Sequence, residues 1–82
     1  MSTASPAYLE IIEFIAAGTT PETVVNYRPS PDAQQRIAEL MEREREGGLS
    51  SADQAELEHF MELEHILRMA KAKAQAILAR GR

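Results

Sequence analysis

Cysteine and tryptophan are absent from this 82-residue chain, and its aromatics are two Tyr and two Phe. Without thiols there is no disulfide framework, no thiolate zinc site and no Cys nucleophile. Four aromatics are thin material for a single-strand nucleic-acid stacking platform. Unbroken apolar runs extend only a few residues, far short of the ~20 that a membrane-spanning helix needs. The chain does not open on a basic segment followed by an apolar stretch, so no signal peptide is expected and the expected location is the cytoplasm. A Gly-rich phosphate loop is missing, as is any Ser–His–acid set that so small a core would bury. These absences leave no reaction chemistry in view, and the expectation is a protein that is not an enzyme.

What remains is 44% hydrophobic and 27% charged, proportions that fit one small helical or globular domain. A chain of this length buries only about 60–65% of its unfolded surface, so its own core is marginal. The net charge of −4 opposes general binding to phosphate backbones, and nucleic acid is not the expected partner. The distribution is uneven. Up to residue 67 there are four basic against thirteen acidic side chains, a net of −9; beyond it lie Arg68, Lys71, Lys73, Arg80 and Arg82 with no acid, a net of +5. Such a gradient favours an acidic partner, a nucleic acid or a second copy laid antiparallel, and it also suits a solvated helix whose cationic end complements its dipole.

Three Ser/Thr–Pro pairs punctuate the first half: Ser5-Pro6, Thr20-Pro21 and Ser30-Pro31. In each, the hydroxyl can accept an orphan amide and the proline lacks the amide that would need a partner, which is a helix start. The first helix runs from about Tyr8 to Ala17 and stops at Gly18. Tyr8, Ile11, Ile12 and Ile15 recur at helical spacing, with Leu9, Phe14 and Ala16 on other sides, so this helix must bury more than one face. The second is short, Pro21 to about Tyr27, because Pro29 holds Arg28 extended. The third, Pro31 to about Glu46, carries a narrow stripe of Ala33, Ile37, Leu40 and Met41. Gly47-Gly48 reverses the chain, and Ser50 opens a last helix that meets no proline or glycine before Gly81. Sustained alternation is missing, so no sheet is expected.

The fold expected is all-α: two short N-terminal helices, then an αα-hairpin whose second arm is long. Residues 1–4 are expected to be disordered and 5–82 to form one helical domain, with the long helix at about 51–80. That helix carries Phe60, Leu63, Leu67, Ala70, Ala74 and Ile77 at spacings of 3, 4, 3, 4 and 3, a seam of nearly three heptads. Leu57, Met61, Ile66, Met69 and Leu78 flank it. A sixteen-residue third helix covers only the first half of a thirty-residue fourth. From about Ile66 onward the seam needs the N-terminal helix, another subunit or a different protein.

Two further patterns bear on chemistry. Glu56-x-x-His59 and Glu62-x-x-His65 have the spacing of a carboxylate–imidazole pair on one metal, although the second copy is rotated well away from the first and further ligands must come from elsewhere. Solvated surface residues and local ion pairs give the same spacing. Tyr27-Arg28-Pro29-Ser30 sets an aromatic, a cation and a hydroxyl between two helices. It is either a recognition corner or a linker in which Tyr27 packs on the core and Ser30 caps.

The succession Gly18-Thr19-Thr20-Pro21-Glu22, Tyr27-Arg28-Pro29-Ser30 with Ala33-Gln34 and Arg36, Arg45-Glu46-Gly47-Gly48-Leu49-Ser50, and Leu63-Glu64-His65 followed by Arg68-x-x-Lys71-x-Lys73 resembles a group of short bacterial proteins. These are common in cyanobacteria and other environmental bacteria, as the small partner of a toxin–antitoxin-type pair. The resemblance spans about Leu9 to Lys73. It implies an antitoxin-type binder that wraps or blocks a nuclease toxin of the HNH or PIN type. The chain lacks a separable ribbon-helix-helix or helix-turn-helix signature, which sets it apart from antitoxins that also bind DNA.

The function expected is therefore a non-catalytic protein-binding module, an antitoxin-like inhibitor of a bacterial nuclease. The competing expectation is a helical homo-oligomer, a dimer for instance, with or without a metal between helices. Phe60, Leu63, Leu67, Ala70 and Ile77 are the expected packing or association seam. Tyr27 and Arg28 are candidates for a specific contact, and Arg68, Lys71 and Lys73 for charge complementarity. No cofactor is expected.

Overall fold

The computed structural model describes residues 6–81. The expected disorder of residues 1–4 and the Ser5 cap lie outside the described residues. Within them the chain is all-helical: α1 (Ala7–Ala16), α2 (Pro21–Asn26), α3 (Pro31–Arg45) and α4 (Ser51–Arg80). None of these helices is long and apolar enough to cross a membrane.

Local capping chemistry sets the boundaries. Pro6 sits at the cap of α1 instead of at its first helical position, because its extended backbone (φ −55°, ψ 146°) precedes the helix and Ala7 opens it. Thr20 and Thr23 cap α2 reciprocally: the Thr23 N–H donates to Thr20 Oγ1 at 3.3 Å and the Thr20 N–H to Thr23 Oγ1 at 2.9 Å. This is the capping-box arrangement with a hydroxyl in the role of the usual carboxylate. Ser30 Oγ accepts the Ala33 N–H and Ser50 Oγ the Asp53 N–H, both at 3.1 Å, which start α3 and α4. Gly18 (φ +94°) and Gly47 (φ +77°) take the left-handed conformation that follows a helix end and that residues with a Cβ avoid.

Ala7, Ile11, Ala33, Ile37, Leu40, Leu57, Phe60 and Leu67 form the core. Ile11 and Leu40 are fully enclosed. Tyr8, Phe14, Val24, Tyr27, Leu49 and Leu63 pack against this cluster. Arg36 of α3 donates from Nε and Nη2 to Glu56 of α4 at 3.1 and 2.9 Å and from Nη2 to Asp53 at 3.1 Å, while Arg43 reaches Asp53 at 3.1 Å. The Glu56 hydrogen bonds, foremost among the causes, raise the pKa of Arg36 above its usual value. A bidentate fork of this kind fixes the register of two helices as well as holding them together.

The far half of α4 is covered from within the chain. α1 begins along the near half of α4, with Tyr8 edge-on to His59, ring centroids 5.1 Å apart. After Gly18 the chain crosses the far half, where Thr20, Pro21 and Val24 of α2 line one groove with Ala70, Ala74 and Ile77. The alanines admit a helix of only six residues at close range. Phe60, Leu67 and Ala74 of the heptad seam are consequently buried, Leu63 and Ala70 half-buried, and Ile77 is 39% exposed. The cover that α3 is too short to give comes from α1 and α2, so the seam as far as Ala74 is occupied by packing within the chain.

Candidate functional site

The corner after α2 is built into the fold. The Tyr27 ring packs on Phe14 at 4.6 Å between centroids, tilted by 44°, and its carbonyl accepts a hydrogen bond from Lys71 Nζ at 2.9 Å. Its hydroxyl is enclosed and has no hydrogen-bond partner among the described residues. Burial, with the Glu10 carboxylate as a second cause, raises the pKa of Tyr27 above its usual value near 10. Ser30 caps α3 and also donates to α1, from its amide to Glu10 Oε1 at 3.1 Å and from Oγ to Glu10 Oε2 at 2.6 Å. Of the four residues at this corner, Arg28 alone is exposed. The linker geometry weighed against the recognition corner is therefore the one Tyr27 and Ser30 adopt.

The basic residues divide in the same way. Lys71 is held on the Tyr27 carbonyl, and Arg68 pairs with Glu64 one turn back at 2.5 Å, a hydrogen bond that raises the Arg68 pKa. Lys73 is exposed beside the α2 groove and makes no hydrogen bond or ion pair among the described residues. Arg36 engages Glu56, and His59 packs on Tyr8, so the first Glu-x-x-His pair serves internal contacts. Among the described residues no three His, Asp or Glu side chains come together to hold a metal ion.

The surface left open lies elsewhere. A groove of about 660 Å³ runs along α4 beside the end of α3. Buried Leu57 lines it, with Met41 and Met61 exposed, and Glu44, Glu58 and Glu62 supply carboxylates; His59, His65 and Gln54 complete the lining, and no Lys or Arg of the described residues contributes. Beyond the groove Ile66 and Met69 of α4 are 57% and 61% exposed, and Ile12 and Ile15 of α1 are 43% and 54% exposed. Sequence spacing placed Met61, Ile66 and Met69 beside the seam without showing that they would remain in solvent. The signal available was their helical position: they fall on the side of α4 away from Phe60, Leu67 and Ala74. Flexible methionines in an open groove suit a surface that adapts to a partner.

Set against family models, curated proteins and solved structures, the chain matches none.

Proposed function

We propose that this chain is a non-catalytic protein-binding module, an antitoxin-like inhibitor that covers a bacterial nuclease. Its frame is the hairpin of α3 and α4, braced by Arg36, with α1 and α2 laid along the long arm as a second layer. The observation that carries the binding role is the exposure of seven large hydrophobic side chains at 39–61%: Ile12, Ile15, Met41, Met61, Ile66, Met69 and Ile77. Five of them lie on α3 and α4, where Met41 and Met61 flank a groove to which Glu44, Glu58 and Glu62 bring carboxylates and no Lys or Arg of the described residues contributes. That combination fits a basic, partly apolar segment, the kind of surface that proteins acting on nucleic acid present. The nuclease itself is what the sequence resemblance implies.

The test is co-expression with the product of the neighbouring reading frame. The expected result is a stoichiometric complex in which nuclease activity is suppressed, and in which Met41→Asp with Met61→Asp releases that activity while the helical content of the inhibitor is unchanged. Failure to form a complex, or a complex indifferent to both substitutions, removes the reading.

A further inference from the structure

The outer face of α4 carries a charge and hydrophobicity pattern that is its own complement. Glu62, Ile66, Met69 and Lys73 are spaced 4, 3 and 4, so at 3.6 residues per turn they fall within about 60° of arc, turned roughly 130° from the buried Phe60, Leu67 and Ala74. All four are exposed. Neither Glu62 nor Lys73 makes a hydrogen bond or ion pair among the described residues. Their neighbours in charge are already engaged: Glu56 with Arg36, Glu64 with Arg68, and Lys71 with the Tyr27 carbonyl.

We infer that this face binds a second copy of the chain, with the two α4 helices antiparallel and crossing between Ile66 and Met69. In that register residue i faces residue 135 − i of the other copy. Each Glu62 then meets a Lys73, and each Ile66 a Met69, so both apolar residues and both charges are matched twice about one two-fold axis. Such an isologous contact requires one patch to be self-complementary, and this quartet read backwards has opposite charge at each end and apolar residues in the middle. Ile12 shares a hollow with Glu62 and Leu63, so α1 extends the apolar area on one flank. The surface differs from the heptad seam, which α1 and α2 cover as far as Ala74. It shares Glu62 with the groove assigned to the nuclease partner, but Met41 and Met61 lie outside the quartet. The contact is small, in the class of interfaces below about 1,200 Å² that associate weakly.

Sedimentation equilibrium of the full chain from about 5 µM to about 500 µM tests the pairing, a range that brackets weak association. The average mass is expected to rise from one chain towards two. Glu62→Lys alone and Lys73→Glu alone each set like charges opposite one another twice, and each is expected to weaken association roughly tenfold or more. An equimolar mixture of the two variants regains it, as does the double reversal in one chain. Ile66→Asp abolishes it with unchanged helical content, since Ile66 lies mostly in solvent. A single-chain mass throughout overturns the proposal, and so does a dimer unaffected by both reversals. If the single variants dissociate but neither the mixture nor the double reversal restores the dimer, the register is wrong and the proposal falls. Nuclease suppression by the Lys73→Glu protein, whose altered residue lies outside both the exposed apolar set and the Met41–Met61 groove, is a separate reading, so loss of the dimer and loss of the proposed function are told apart.

Discussion

Replacing Tyr27 by Phe is expected to stabilise this protein. The Tyr27 hydroxyl is enclosed without a partner among the described residues, while its ring lies on Phe14 and its carbonyl holds Lys71. A hydroxyl taken from water without a replacement hydrogen bond costs about 1–3 kcal/mol, and the half-buried state of the residue places the cost near the lower end. Tyr27→Phe keeps the ring and removes the cost, a gain of about 1 kcal/mol. For a domain of this length that raises Tm by about 4–8 °C, read by circular dichroism. The same substitution has an alkaline signature. The unfolded chain releases this proton near pH 10, whereas burial and Glu10 raise the folded value. Stability from this group is therefore fully present below pH 10 and is lost as pH rises through the raised pKa. In Tyr27→Phe that part of the alkaline loss disappears. A variant less stable than the parent by 1 kcal/mol or more would mean that the hydroxyl makes a bond the structure lacks. A variant that folds well but no longer binds the proposed nuclease partner would return Tyr27 to the contact surface.

Two further substitutions probe how the layers are held. Arg36→Ala leaves Glu56 and Asp53 facing each other without their shared cation, at sites 16–24% exposed; a loss of about 1–2 kcal/mol in urea unfolding is expected, with a Glu56 double-mutant cycle showing coupling above 0.5 kcal/mol. No coupling would mean that the fork is incidental. Ala74→Glu puts a charge at a position 5% exposed under α2, costs at least about 2 kcal/mol, and is expected to lower hydrogen-exchange protection across α2 well before the α3–α4 pair opens; unchanged protection there would contradict the docking of α2.

Helix boundaries were legible to within a residue or two because capping is local: Thr20-Pro21, Ser30-Pro31, Ser50, Gly18 and Gly47 act on amides and carbonyls a few positions away. The length mismatch between α3 and α4 was legible for the same reason. What covers the far half of α4 was not, since α2 is six residues long and its apolar side chains, Pro21, Val24 and Val25, give no periodic signal. Only the small size of Ala70 and Ala74 lets so short a helix reach. The candidate site suffered from the same nonlocality. Lys71 looks like free charge until Tyr27, 44 residues earlier, is beside it, and Glu56 looks like a ligand until Arg36 arrives from α3. The quartet Glu62, Ile66, Met69 and Lys73 could be found only once the opposite face of α4 was known to be the covered one.

The layering of α2 on α4 is the claim from which the self-complementary face follows. A half-filtered NOE experiment on a mixture of isotopically labelled and unlabelled chains tests it most directly. Contacts between Pro21 or Val24 and Ala70 or Ala74 are expected within one chain and not between chains. Their absence, or their appearance only between chains, would contradict the account and reopen the seam to a second subunit.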